Sequence, residues 1–237
     1  MKIIRKSCPF LVTLIGILCF QHTAFAIEKV VGFGDSITAG WPDVTTDQEG
    51  SSVGGYEPPL EKMLIASGQQ AVVLNYGHPG ESTSEGDSRI QAVLDKEHPD
   101  VVLVMEGTND LWIVDTATVM TNLASMVDKV IKSGASPILA TITPDTRGDK
   151  PVPQMNDIIR AWAKNNNVKL ADQYTALVDD WDFLPLHSGD QLHPNQAGYD
   201  VIAQTWLSAI QSKTVNITPS TTVNIAPIIM LLLKRKN

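Results

Sequence analysis

The chain reads as an α/β protein: a three-layer, doubly wound sheet of five parallel strands with helices on both faces. Three observations predict it. Five short apolar runs recur along the chain, amphipathic stretches of helical period separate them, and the runs are continuous rather than alternating, the mark of strands covered on both faces. Strand, helix, strand repeated in this way packs as a parallel sheet between two helical layers. Ligands of such sheets bind beyond the carboxyl ends of the strands, so the residues there are where chemistry is sought.

The strands are predicted at 29–33 (KVVGF), 71–76 (AVVLNY), 101–105 (VVLVM), 137–142 (PILATI) and 168–171. Helices are predicted at 58–67, closed by Gly68, at 84–96, at 118–133, closed by Gly134, at 152–165 and at 194–212. In the third, Val119, Leu123, Met126, Val127 and Val130 fall on one face. The last is expected to start with Pro194 in its first turn and to carry Val201, Ile202, Thr205, Trp206 and Ala209 on one side.

Both ends differ from this pattern. Residues 1–26 carry Lys2, Arg5 and Lys6, an apolar run from Cys8 to Phe20, and Ala24-Phe25-Ala26, an A-x-A cleavage pattern. This predicts a secretory signal peptide and therefore export, to a periplasm, a cell surface or the medium. The run is shorter than the ~20 residues of a spanning helix. Both cysteines of the chain fall inside it, so the mature domain over 27–213 has neither a disulfide nor a thiol nucleophile and rests on its core. From 214 to 237 a Thr/Asn/Pro-rich linker leads to an apolar block (Ile228 to Leu233) and a basic end (Lys234, Arg235, Lys236). The tail reads either as a membrane or surface tether or as an incidental greasy patch. Asn216-Ile217-Thr218 has the form of a glycosylation acceptor.

Composition narrows the function. With 18 Lys plus Arg against 26 Asp plus Glu, the net charge is −8, and removing the basic leader makes the domain more acidic still. That balance argues against nucleic acid as a partner. No P-loop or dinucleotide glycine spacing is present, and no HExxH pair, so neither a phosphate-binding module nor a zinc hydrolase is indicated.

Four motifs stand at the strand ends. The first strand runs into Gly32-Phe33-Gly34-Asp35-Ser36-Ile37-Thr38-Ala39-Gly40, where a serine between small residues presents its hydroxyl at a strand-to-helix turn. Ser36 is a candidate nucleophile, although Gly-Asp-Ser also serves as a plain turn or helix cap. The second strand ends in Asn75-Tyr76-Gly77-His78-Pro79-Gly80, whose glycine can bring a backbone N–H to a ligand. The third ends in Gly107-Thr108-Asn109-Asp110, which offers a side-chain amide. Before the last helix comes Asp190-Gln191-Leu192-His193-Pro194. A spacing of three lets Asp190 hold one ring nitrogen of His193 while the other faces a serine. Singly each motif has an ordinary turn-forming reading; together they fall in order on one rim.

Over roughly 28–213 the sequence resembles the SGNH hydrolases, also called GDSL esterases and lipases, with all four family blocks in order. The resemblance implies a flavodoxin-like sheet order and a secreted serine carboxylic-ester hydrolase. It casts Ser36 as nucleophile, His193 as base and Asp190 as acid. The N–H groups of Ser36 and Gly80 and the amide of Asn109 become the oxyanion-hole donors. No cofactor or metal is required. Ile37 replaces the leucine of the family name, a conservative packing change. The segment from Trp41 to Tyr56 has no fixed family pattern and is expected to border the substrate pocket.

A lysophospholipase- or arylesterase-like enzyme, a carbohydrate O-acetylesterase and a catalytically silent binding module all share this framework. The expected partner is thus a small-molecule or glycan ester. His78, Asp110, Trp112 and His187 have both functional and structural readings. His78 could touch substrate or be a solvated loop residue, and Trp112 could wall the pocket or pack under a loop. His187 with Asp190 could suggest a metal, which the shortage of ligands disfavours, and Asp110 could simply order the turn around Asn109.

Overall fold

A computed structural model of the protein describes residues 27–42, 45–46, 52–182 and 186–212. The leader over 1–26, the tail from 214 with its apolar block and glycosylation tripeptide, and residues 43–44 and 47–51 of the loop after Trp41 lie outside the described residues.

In chain order the elements are β1 (Lys29–Gly34), α1 (Ser36–Ala39), β2 (Thr45–Thr46), β3 (Ser52–Val53), α2 (Glu57–Ala66), β4 (Val72–Gly77), α3 (Thr83–Glu97), β5 (Val101–Met105), α4 (Thr116–Lys132), β6 (Ser136–Ala140), α5 (Val152–Asn165), β7 (Lys169–Ala171), α6 (Gln173–Leu177) and α7 (Gln196–Gln211). Five strands form one parallel sheet in the order β4-β1-β5-β6-β7, and β2 pairs with β3 as a small antiparallel ribbon. The α/β architecture expected from the sequence is the one the chain adopts.

Strand alternation splits the core into two layers. Val31 and Phe33 of β1 and Val102 and Val104 of β5 face α3, α4 and α5, where Ile90, Leu123, Val127, Met155 and Trp162 cover them. Val30 of β1 and Leu103 and Met105 of β5 face the other way, against α2 and α7, through Leu60, Leu64, Ile202 and Trp206. The strip on α4 is the one its 3.6-residue period forecasts, and all five of its named residues are buried.

Two expectations are corrected, and one element is added. Burial on both faces holds for β5, but the edge strands β4 and β7 are only half-covered, because an edge strand has a neighbour on one side alone. Pro194 lies outside α7: Asn195 caps that helix by accepting from Gly198 N at 3.1 Å. The short helix α6, capped by Asp172, has too few residues to show a period and was not foreseen.

The strand order places the site. β1 leads outward to β4, whereas β4 leads back across to β5 on the other flank of β1. Connections that diverge from neighbouring strands leave a crevice at their carboxyl ends. The segments after β1 and β5 flank it.

Candidate active site

Ser36 is fixed by its neighbours on either side. Asp35 caps α1, its Oδ1 accepting from Ile37 N at 2.9 Å, and Gly40 closes the helix in the left-handed region at φ 88°. The single turn lies so close to the sheet that a Cβ on Gly77 would stand 2.0 Å from Ala39 N, and one on Gly34 would stand 2.3 Å from Thr38 Oγ1. Only glycine fits at either position. Asn75 secures the same turn from below, its amide donating to Thr38 O at 2.7 Å.

The hydroxyl of Ser36 is 2.8 Å from His193 Nε2. On the far side of the ring, His193 Nδ1 is 2.5 Å from Asp190 Oδ2. Asp190 Oδ1 meanwhile accepts the backbone N–H groups of His193, at 2.8 Å, and Leu192, at 3.0 Å. Gln191 takes a positive φ of 64° to close this tight turn, and Ser188 N donates to His193 O at 2.8 Å. Partial burial works to raise the Asp190 carboxyl, but the His193 ring and the two backbone donors outweigh it and hold it down at about 2. An ionised Asp190 keeps the proton on Nδ1 and leaves the Nε2 lone pair facing the serine hydroxyl. Such an arrangement can accept a proton as that oxygen attacks. Trp41 stands over the ring, 6.0 Å between centroids.

Gly80 and Asn109 come from adjacent loops. Gly80 sits at φ 82° in the loop after β4, which is tied to β1 by His78 N donating to Gly34 O at 2.8 Å. Asn109 Nδ2 donates to Glu81 O, next to Gly80, at 2.9 Å, leaving its second amide hydrogen for another acceptor. Asp110 does order this region: it accepts from Thr83 N at 2.9 Å and Thr83 Oγ1 at 2.6 Å and so secures the start of α3.

The remaining candidates separate clearly. His78 is exposed and 3.7 Å from Glu81 Oε1. His187 accepts from Gly189 N and faces Asp182 at 3.4 Å. Trp112 is only partly covered, by the loop of Gly148 and Lys150: it is 61% exposed, with Ile113 and Val114 beside it, and forms an apolar edge next to the Asn109 loop. Lys150 lies 5.1 Å over its ring. That lysine forms a buried ion pair with Asp145, which also receives Arg147.

Sequence reasoning missed the buried acids behind the site. Burial pushes the Asp35 carboxyl up to about 7; Ile37 N and Thr108 oppose the shift, while Glu81 and Asp110 add to it. Glu106, just past β5, is buried, and so is Glu81, whose carboxylate is held by Arg89 at 2.7 and 2.5 Å. Glu57 is buried against Tyr56 on the other layer, and burial drives its carboxyl well above the usual range. Asp35, Glu57 and Glu81 lie in turn-like segments and Glu106 at the end of an apolar run, so no shared periodic signal marks these residues as buried.

The sequence matches the GDSL-like lipase/acylhydrolase family over residues 33–201. It is 26% identical over 211 residues to an arylesterase of Vibrio mimicus, covering 84% of this chain and 93% of that one. It is 30% identical over 155 residues to the esterase TesA of Pseudomonas aeruginosa, covering 65% of this chain and 70% of that one. In structure it is similar to an alpha/beta hydrolase from the metagenome of Lake Arreo, with TM-score 0.66, 26% identity, and 78% and 96% of the two chains covered. It shares its fold with a lipase/acylhydrolase of Enterococcus faecalis, with TM-score 0.67, 24% identity, and 81% and 100% covered. Fold and sequence together therefore define an α/β enzyme of the ester-hydrolysing class. The chain belongs to the GDSL-like lipase/acylhydrolase family, as the four motifs led us to expect, and is a carboxylic-ester hydrolase.

Proposed function

We propose that the protein is an exported serine esterase working through Ser36, His193 and Asp190 and a covalent acyl-enzyme. The observation that carries this reading is the continuous contact from Ser36 Oγ through the His193 ring to Asp190, at 2.8 and 2.5 Å. His193 takes the hydroxyl proton as Ser36 Oγ bonds to the ester carbonyl carbon, and the carbonyl oxygen becomes an oxyanion. The N–H groups of Ser36 and Gly80 and the free amide hydrogen of Asn109 stabilise that charge. His193 then passes its proton to the departing alcohol. Water, deprotonated by the same ring, releases the acid and restores Ser36.

The arylesterase and esterase relatives support simple acyl esters as substrates. The exposed Trp112, Ile113 and Val114 beside the Asn109 loop support an apolar acyl or aryl group. Export rests on the basic, apolar and A-x-A order of residues 1–26 and is read from the N-terminal residue of the protein recovered outside the cytoplasm, expected to be Ile27.

Hydrolysis of p-nitrophenyl acetate, butyrate, octanoate and palmitate by the purified protein, beside Ser36→Ala, tests the mechanism. We expect turnover in the parent and none above background in the variant, with the fold unchanged. Undiminished hydrolysis by pure Ser36→Ala overturns the assignment. A profile confined to acetate points instead to a carbohydrate O-acetylesterase.

A further inference from the structure

One buried carboxyl beside the site has no place in that chemistry. Glu106 follows β5, is 2% exposed, and stands three residues before Asn109. No N–H or O–H group among the described residues donates to either of its oxygens. A carboxylate buried without donors is costly, whereas a neutral carboxylic acid avoids that cost and becomes a donor itself. The acidic groups beside it are Asp35 and Glu81, and it can share a hydrogen bond with the carboxylate of Glu81, which Arg89 already holds through two hydrogen bonds. Two carboxyl groups that share a hydrogen bond need a proton between them.

The surroundings are shaped for this contact. On α3, a Cβ added to Gly86 would stand 3.2 Å from Glu106 Oε1, and Phe33 of β1 and Met126 of α4 close the same space with apolar atoms. The charged groups that face Glu106 are Asp35 after β1, Glu81 in the loop after β4, and Arg89 on α3; Asp110 and the exposed His78 stand behind Asp35 and Glu81. Burial first, then Asp35 and Glu81, push the Glu106 carboxyl well above the usual range, against the pull of Arg89.

We propose that Glu106 is a positioning residue of the oxyanion hole, which donates a hydrogen bond from its neutral carboxyl to Glu81 and so clamps the loop of Asn109 to the loop of Gly80. Glu81 is then gripped at both ends, its side chain by Arg89 and Glu106 and its main-chain carbonyl by Asn109 Nδ2. Because Gly80 is its neighbour in the chain, a displaced Glu81 moves two oxyanion donors at once. The inference rests on the roles proposed above for Gly80 and Asn109.

Glu106→Gln keeps the shape and a donor, and Glu106→Leu removes the donor. The infrared difference spectrum between the parent and Glu106→Gln should show the C=O stretch of a neutral carboxylic acid at neutral pH, a readout independent of turnover. Glu106→Gln should match the parent's kcat and lose less of it than the parent as pH rises, because only the parent has a carboxyl at 106 to ionise against Glu81. Glu106→Leu should lose roughly tenfold to a hundredfold in kcat, the scale of a misplaced reacting group, with KM little changed. A missing carboxylic-acid band, a Gln variant as impaired as the Leu variant, or a fully active Leu variant would overturn the proposal. If Glu106→Leu does not fold, the band and the pH profile of Glu106→Gln beside the parent decide. Failure of the esterase reading shows separately, as hydrolysis that survives Ser36→Ala.

Discussion

Tyr199 on α7 donates its hydroxyl to the main-chain carbonyl of Trp41 at 2.6 Å, fastening the helix that follows His193 to the segment that follows Ser36. The two halves of the site come from opposite ends of the domain, and this bond ties them together directly. Tyr199→Phe keeps the ring in its buried seat and removes only the hydroxyl. Unfolding in urea should show a loss of about 1 kcal/mol, with some added cost for the carbonyl left without its donor. Activity should fall mainly in kcat, because the Ser36 to His193 distance loosens before any substrate contact is lost.

Asp190→Asn tests the hold on the imidazole. The amide cannot fix the proton on Nδ1 as a carboxylate does, and kcat should drop by about 10⁴-fold in a protein that still folds. The parent carboxylate has a linked effect on stability. Its folded value of about 2 lies below the ordinary 3.8, so its contribution is complete above pH 3.8 and disappears as pH falls through 2. Acid unfolding of Asp190→Asn should lack that component.

Asp35 has the opposite sign. Burial raises its carboxyl from 3.8 to about 7, so the folded state is favoured by the proton and progressively loses stability as pH rises from 3.8 through 7. Asp35→Asn keeps an acceptor for Ile37 N and never ionises. Thermal melts should show the variant gaining on the parent above neutral pH, by an amount on the order of a few kcal/mol, and the gain vanishing towards pH 3.8.

Gly77→Ala should damage the site through the backbone. The new methyl would meet Ala39 N and Cα, and α1 would have to lift from β4. Overpacking of this kind costs about 1–3 kcal/mol, readable from the urea midpoint. Since α1 carries Ser36, hydrolysis should weaken at the same time, whereas the same substitution at Gly68, where an added Cβ meets nothing but φ is 89°, should cost stability and spare kcat.

Much of the frame was legible because burial follows a period. The run 101–105 became β5 with every residue buried, and 152–165 became α5 at the same bounds. Helix caps were harder to read, since Asn195 rather than Pro194 opens α7 and only the observed bond to Gly198 decides between them. The acids at 35, 81 and 106 were unreadable as a group: each sits in a different motif, and their proximity comes from the strand order β4-β1-β5. Ser36, Asp190 and His193 were legible from local patterns, and the structure brings them together. Trp112 shows the reverse case, an aromatic whose exposure depends on a loop geometry that composition does not encode.

The serine and the histidine that meet across 2.8 Å are 157 positions apart. A chain emerging from the ribosome, N-terminus first, presents Ser36, the proposed nucleophile, when most of the sheet is unmade and His193 is still unsynthesised. On the mechanism proposed above, reactivity at Ser36 is a late property, acquired when His193 comes to lie against it. On that mechanism any chain that stops short of His193, whether nascent or truncated, carries at Ser36 a hydroxyl no more nucleophilic than an ordinary serine.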